Sequence, residues 1–305
     1  MNDSKSTSKI ALAKSFIAAT PDEMDMTTMK GFFQDLFHRI KNVDMGGLGA
    51  QLAYFFLLSF FPLIIFLVTL LPYLNLKQEQ IFEFLDDIVP EQVYSMVEGI
   101  LNEVLSGQNG GLLSIGILGT IWSASKGVDA LMKALNRAYD VEGKAGILNR
   151  LFSLIFTVAL VAIVLIALVF PVFGHQIGNI VFGILGVDEV FETLWTYVRW
   201  ITPPLLIFIL LWLMYWIVPN TDPRLKFMTV LPGAVFATLG WLALTYGFSF
   251  YISNFGNYSA TYGSIGGVII LMLWLYFTGM ILILGGLLNA SIARRKRALS
   301  SNKTA

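Results

Sequence analysis

The chain contains no cysteine, which excludes disulfides and thiolate metal sites. Its only histidines, His38 and His175, lie far apart in sequence. A histidine-based metal centre or nucleophile–base pair therefore has few residues to draw on, and no metal site is expected. Charge is also scarce: 13% of residues are Asp, Glu, Lys or Arg, against about 25% in ordinary soluble domains. No nucleotide-binding motif is present, and no cofactor is expected. Residues 1–45 lack the compact apolar core and small-residue cleavage site of a signal peptide, so the first membrane helix is read as its own signal.

What is present is apolar. Hydrophobic residues make up 56% of the chain and the mean hydropathy is +0.72. Several runs approach the roughly 20 residues needed to cross a hydrocarbon core about 30 Å thick. The expected fold is all-α: a polytopic membrane protein of about six transmembrane helices with an extracytoplasmic amphipathic helical pair. The expected organisation is a disordered arm over 1–28, a membrane domain over 29–297 and a tail over 298–305.

In chain order, Met29, Phe33, Leu36, Phe37 and Ile40 recur at helical spacing, with Lys30, Asp35, Arg39 and Lys41 between them. This predicts an amphipathic helix, lying on the membrane surface or packed on the bundle. Leu48–Leu71 is the first span, interrupted by Gln51, Tyr54, Ser59 and Pro62. Residues 75–110 read as two acidic amphipathic helices broken at Pro90. Ile147–Phe173 is a long span, with a half-helix or re-entrant turn expected over Gly174–Val187. Leu194–Val218 follows, with Arg199 in an aromatic belt of Trp195, Tyr197 and Trp200. Val230–Ile252 carries Gly233, Ala237, Gly240 and Gly247 on one face, suited to close helix approach. Ile265–Ile292 is the last span, expected to stop at Ala293–Arg297.

Lysine and arginine sort into alternate connections: Lys30, Arg39 and Lys41; then Lys133, Arg137, Lys144 and Arg150; then Arg224 and Lys226; then the basic tail. The intervening loops hold little more than Lys77. The positive-inside rule then places both termini in the cytoplasm and the acidic segment outside.

The stretch Gly111–Asp140 organises the functional reading. It is uncharged from Leu112 to Ser125, too short to span, and then carries Lys126, Asp129, Lys133 and Arg137 at helical spacing. Ionisable groups at membrane depth usually carry function, although a lysine near a helix end also snorkels with its stem in lipid. Candidate substrate-path residues are Gln51, Tyr54, Ser59, Trp122, Ser123, Ser125, Lys126, Asp129, Asn136, Arg137, Tyr262 and Ser264. Arg199 is the candidate for a lipid head group. No catalytic residue is assigned.

Four pieces resemble the YihY / virulence-factor BrkB family of bacterial inner-membrane proteins. They are A-Q-L-A-Y-F-F-L-L-S-F-F-P at Ala50–Pro62, W-S-A-S-K-G at Trp122–Gly127 with A-L-N-R-A-Y at Ala134–Tyr139, L-P-G-A at Leu231–Ala234, and Y-S-A-T-Y-G-S-I-G at Tyr258–Gly266 followed by W-L-Y at Trp274–Tyr276. The resemblance runs from about Phe32 to Arg297. It implies a six-helix membrane protein. Members have carried a ribonuclease label, some are tied to serum resistance, and lipid transport has been proposed for the family.

The expected function is moving or handling lipids or other amphiphiles, with membrane lipids as partners and no nucleic acid. An ion or small-solute transporter or channel is the alternative, and a non-catalytic envelope scaffold a further one. A homo-oligomer or an envelope-complex partner is compatible with each. A ribonuclease would need metal-binding carboxylates or histidines and a basic soluble groove, and the sequence presents neither.

Overall fold

The computed structural model describes residues 24–74, 110–143, 146–185, 188–255 and 265–302. The expected acidic pair over 75–109, and the candidates Tyr262 and Ser264, lie outside these. Seven α-helices are described: α1 Met29–Asn42, α2 Met45–Leu74, α3 Gly110–Ala138, α4 Gly146–Leu185, α5 Asp188–Ile217, α6 Leu231–Phe255 and α7 Ile265–Ser301. No strand occurs among the described residues. Among the described residues, four helices are long and apolar enough to cross a membrane; α1 with the first part of α2, bent by 59°, makes a fifth candidate. The charged α3 is not among them, in keeping with its short uncharged run.

Neighbouring helices close a ring. α3 lies most extensively against α2, then against α4; α4 packs on α5, α5 on α6 and α6 on α7, and α7 returns to α2 and also touches α3. The core includes Leu52 of α2, Leu135 of α3, Tyr215 of α5, and Ile283 and Leu287 of α7, all fully buried. Glycines permit the closest approaches. A Cβ on Gly233 would stand 2.2 Å from the Gly285 carbonyl oxygen, and one on Gly240 would press on Ile281 at 3.1 Å. Gly247, expected on the same face, meets nothing within 4 Å.

Two boundaries differ from expectation. α4 is one continuous helix of 40 residues, with no re-entrant break at Gly174. Isolated glycines cost only about 1 kcal/mol each in a helix, too little to end one. α7 also runs on through Arg294–Arg297 to Ser301, because arginine and lysine are good helix formers once lipid ends.

The first described residues are tied down. Met24 and Met26 are buried, and Thr28 caps α1 by accepting a bond from the Gly31 amide at 3.1 Å. Phe32 of α1 is buried, whereas Met29, Phe33 and Phe37 remain exposed. The helix thus docks on α7 and still presents an apolar edge. Asp35, expected on the polar face, is only 1% exposed. It accepts bonds from Arg39 Nε at 2.9 Å and Arg294 Nη1 at 2.5 Å, pinning α1 to α7.

Candidate functional site

Trp122, Lys126 and Asp129 lie on the stripe of α3 that continues outward from Ile115 and Leu118. Ile115, Leu118 and Trp122 are exposed at 69%, 67% and 62%. On α4 a matching stripe of Ile147, Leu151, Ile155 and Val158 is exposed. Each helix thus presents an exposed apolar face. At their border the Lys126 ammonium lies 5.3 Å from the Trp122 ring centroid, and the Arg150 guanidinium lies 5.4 Å from the same ring. Such distances bring cation–π attraction. Arg150 sits four residues into α4, about 6 Å along its axis, near the start of that helix's candidate span at Gly146.

Asp129 is placed by partners. Its carboxylate accepts from Asn149 Nδ2 and pairs with Lys133 Nζ at 2.8 Å. Its side chain is 19% exposed and that of Lys133 is 69% exposed, so the ion pair itself contributes little stability. Asp129 and Asn149 mainly fix the register of α3 against α4, which sets where Arg150 meets Trp122.

The other candidates do not converge on this cluster. Gln51 and Tyr54 are exposed on α2. Ser59, Ser123 and Ser125 are buried. Ser59 donates to the Phe56 carbonyl and Ser125 to the Trp122 carbonyl, each at 2.8 Å. Both hydroxyls are thereby satisfied within their own helices. Asn136 is buried; it donates to the Met132 carbonyl at 3.0 Å and accepts from the Asn220 amide at 3.2 Å. It joins the end of α3 to the loop after α5. Arg137 is exposed. Arg199 lies about 27 Å along α5 from its last residue, Ile217, at 1.5 Å per residue, hence at the far end of that helix from Asn220. It is exposed, with its guanidinium 5.7 Å from the Trp200 ring centroid. Tyr197 and Trp200 are exposed beside it, but Trp195 is buried.

Arg150 and Asn149 are the residues that sequence reasoning left unassigned. Arg150 read only as a charge at the mouth of a span. Trp122 and Arg150 are far apart in the chain, and only the packing of α4 on α3 brings them together.

A family model described as virulence factor BrkB covers residues 36–305. The chain belongs to the virulence factor BrkB family. This BrkB-family chain is 44% identical over 272 residues to the ribonuclease-like protein YfkH of Bacillus subtilis, covering 89% of this chain and 98% of that protein. It is also 37% identical over 81 residues to a UPF0761 membrane protein of Pseudoalteromonas translucida, covering 27% of this chain and 26% of that one. A UPF0761 membrane protein of Actinobacillus pleuropneumoniae is 36% identical over 93 residues, covering 30% of this chain and 32% of its own. No solved structure matches the BrkB-family chain.

Proposed function

We propose that the protein handles membrane lipids, docking an anionic head group between Lys126 and Arg150 as the first step of moving it. One observation carries the reading: two cations, Lys126 and Arg150, each lie beside a single exposed tryptophan at the edge of an exposed apolar surface. Arginine suits phosphate because its planar fork makes paired bonds, and lysine adds a mobile charge. Trp122 presents an apolar body with a polar tip, suited to the interface between acyl chains and head groups. Ile115, Leu118, Leu151 and Ile155 offer acyl chains a continuing surface. Energy for net movement would come from a gradient or a partner.

The reading is non-catalytic. One relative's name is ribonuclease-like, but among the described residues no three His, Cys, Asp or Glu side chains gather as a metal-ion nuclease requires. The hydroxyls that an ion path would use are bonded to their own helices at Ser59 and Ser125.

The test uses the full chain in vesicles containing phosphatidylglycerol and phosphatidylcholine. The double variant Lys126→Gln, Arg150→Gln should retain several-fold less phosphatidylglycerol through purification, since each charged hydrogen bond is worth about 1.5–3 kcal/mol. It should also slow movement of a fluorescent phosphatidylglycerol between leaflets, with phosphatidylcholine retention unchanged. Equal retention and equal movement in the variant and the parent would overturn the reading.

A further inference from the structure

A second polar site lies where α3 ends and α7 runs on. A cavity of about 260 Å³ is enclosed by α1, the turn after α3, the loop after α5, and α7. Its polar lining is Arg39, Arg294, Arg297, Asp222, Tyr139 and Thr221. The hydroxyls of Tyr139 and Thr221 are buried and have no hydrogen-bond partner. Buried side-chain hydroxyls nearly always have one, and these two line the same space. We propose that this cavity binds a phosphate-type oxyanion, held by the three arginines and the two orphan hydroxyls.

Three guanidiniums line the cavity; Asp35 and Asp140 pair with two of them, Asp222 is exposed, and Arg297 is the cation left to attract an anion. Arg39 and Arg294 are anchored by Asp35, and Asp140 takes a further bond from Arg39 at 2.9 Å. These contacts, with the bond from Arg39 to the Ala138 carbonyl, hold the two guanidiniums in place at the cavity wall. Arg297 gives one bond to the Pro223 carbonyl at 3.2 Å and forms no ion pair among the described residues. Size limits the ligand. The volume is below the roughly 300–1,000 Å³ of sites for drug-sized molecules, yet it far exceeds the roughly 30 Å³ share of one water. Inorganic phosphate fits, and so does the terminal phosphomonoester of a lipid head group. Burial pushes the Tyr139 hydroxyl's pKa up, against the pull of the Arg39 and Arg297 charges. Tyr139 therefore stays protonated and can donate.

A bound oxyanion would join four segments that are distant in sequence, so binding should stabilise the fold. The experiment takes the purified full chain in lipid nanodiscs. Calorimetry and thermal unfolding are followed with inorganic phosphate, with a soluble short-chain phosphatidic acid, and with chloride at matched ionic strength. Phosphate or phosphatidic acid should bind saturably and raise Tm where chloride does not, and the tighter of the two identifies the source. Arg297→Gln should weaken binding by roughly tenfold or more, the loss of one charged hydrogen bond. Its ligand-free Tm should stay unchanged, because Arg297 is exposed. Tyr139→Phe, which keeps the ring, should weaken binding several-fold. The Lys126→Gln, Arg150→Gln variant should bind phosphate like the parent, separating this site from the lipid-facing one. Absence of saturable binding by both probes, or unchanged affinity in both the Arg297 and Tyr139 variants, overturns the proposal and leaves a cavity that holds water.

Discussion

Asp35 occupies a position that helical spacing assigns to solvent, yet the fold buries its carboxylate between two arginines. Burial alone would raise its pKa; the charge of Arg39 and the hydrogen bonds from Arg39 and Arg294 outweigh it and hold the group below the usual 3.8. A carboxylate depressed on folding contributes stability that is present above its unfolded pKa and lost as pH falls through its folded one. Thermal unfolding in nanodiscs should therefore show Tm falling as pH drops below the ordinary carboxylate value, and the fall should be shallower in Asp35→Asn. At neutral pH that substitution should cost about 3 kcal/mol, since it leaves Arg39 and Arg294 without their shared counter-charge. Asn289 is a second residue of this kind. It is fully buried, accepts from the Gly233 amide at 2.7 Å and donates to the Val230 carbonyl at 2.8 Å. It thus satisfies backbone groups at the start of α6 from α7. Asn289→Ala should destabilise by about 2 kcal/mol by leaving both buried groups unpaired. Denaturant titration of the detergent-solubilised protein measures it. In the sequence Asn289 was visible only as a polar residue near the end of the last span.

Between elements, small residues decide how close two helices come. The face carrying Gly233, Ala237 and Gly240 was legible from spacing alone, because a helix repeats every 3.6 residues whatever it packs against. Which glycines matter was not legible. Gly233→Ala would drive a methyl group against the Gly285 backbone, which cannot swing aside. The expected cost is about 2 kcal/mol from overpacking. Gly247→Ala meets open space and should be nearly neutral; paired unfolding curves of the two variants check both outcomes. The continuous α4 teaches a related lesson. Glycines in an apolar run looked like a break, but a helix in lipid keeps its backbone bonds because no water replaces them. The pairing of α3 with α4 was equally hidden, and with it the meeting of Arg150 and Trp122.

For the whole molecule, the loop charges predict both termini on one side. The absence of cysteine makes this easy to examine, because any introduced thiol is unique. Lys30→Cys and Asn302→Cys should react with a membrane-impermeant maleimide only in inside-out vesicles, and Glu98→Cys only in intact cells whose outer layers are permeabilised. Labelling of Lys30→Cys and Asn302→Cys from opposite sides would disprove the even number of crossings. The ring of helices closed by α7 on α2 also explains why the exposed Trp122 lies outside the bundle. Asp129 finds its partners in Asn149 and Lys133, and the Lys126 ammonium lies beside the exposed Trp122 ring.

By itself the sequence determined the helical class, the membrane setting, most span positions and the family resemblance. Hydropathy, helical period and motif order are local properties, readable within some twenty residues. Only the tertiary structure decided which polar groups meet. Asp35 finds Arg294 across 259 residues, Gly233 finds Asn289 across 56, and even the nearer Asp129–Asn149 contact crosses a turn. A scarce charge in an apolar chain is stabilised by the partner that folding brings to it, and that partner's distance along the chain carries no trace of the meeting.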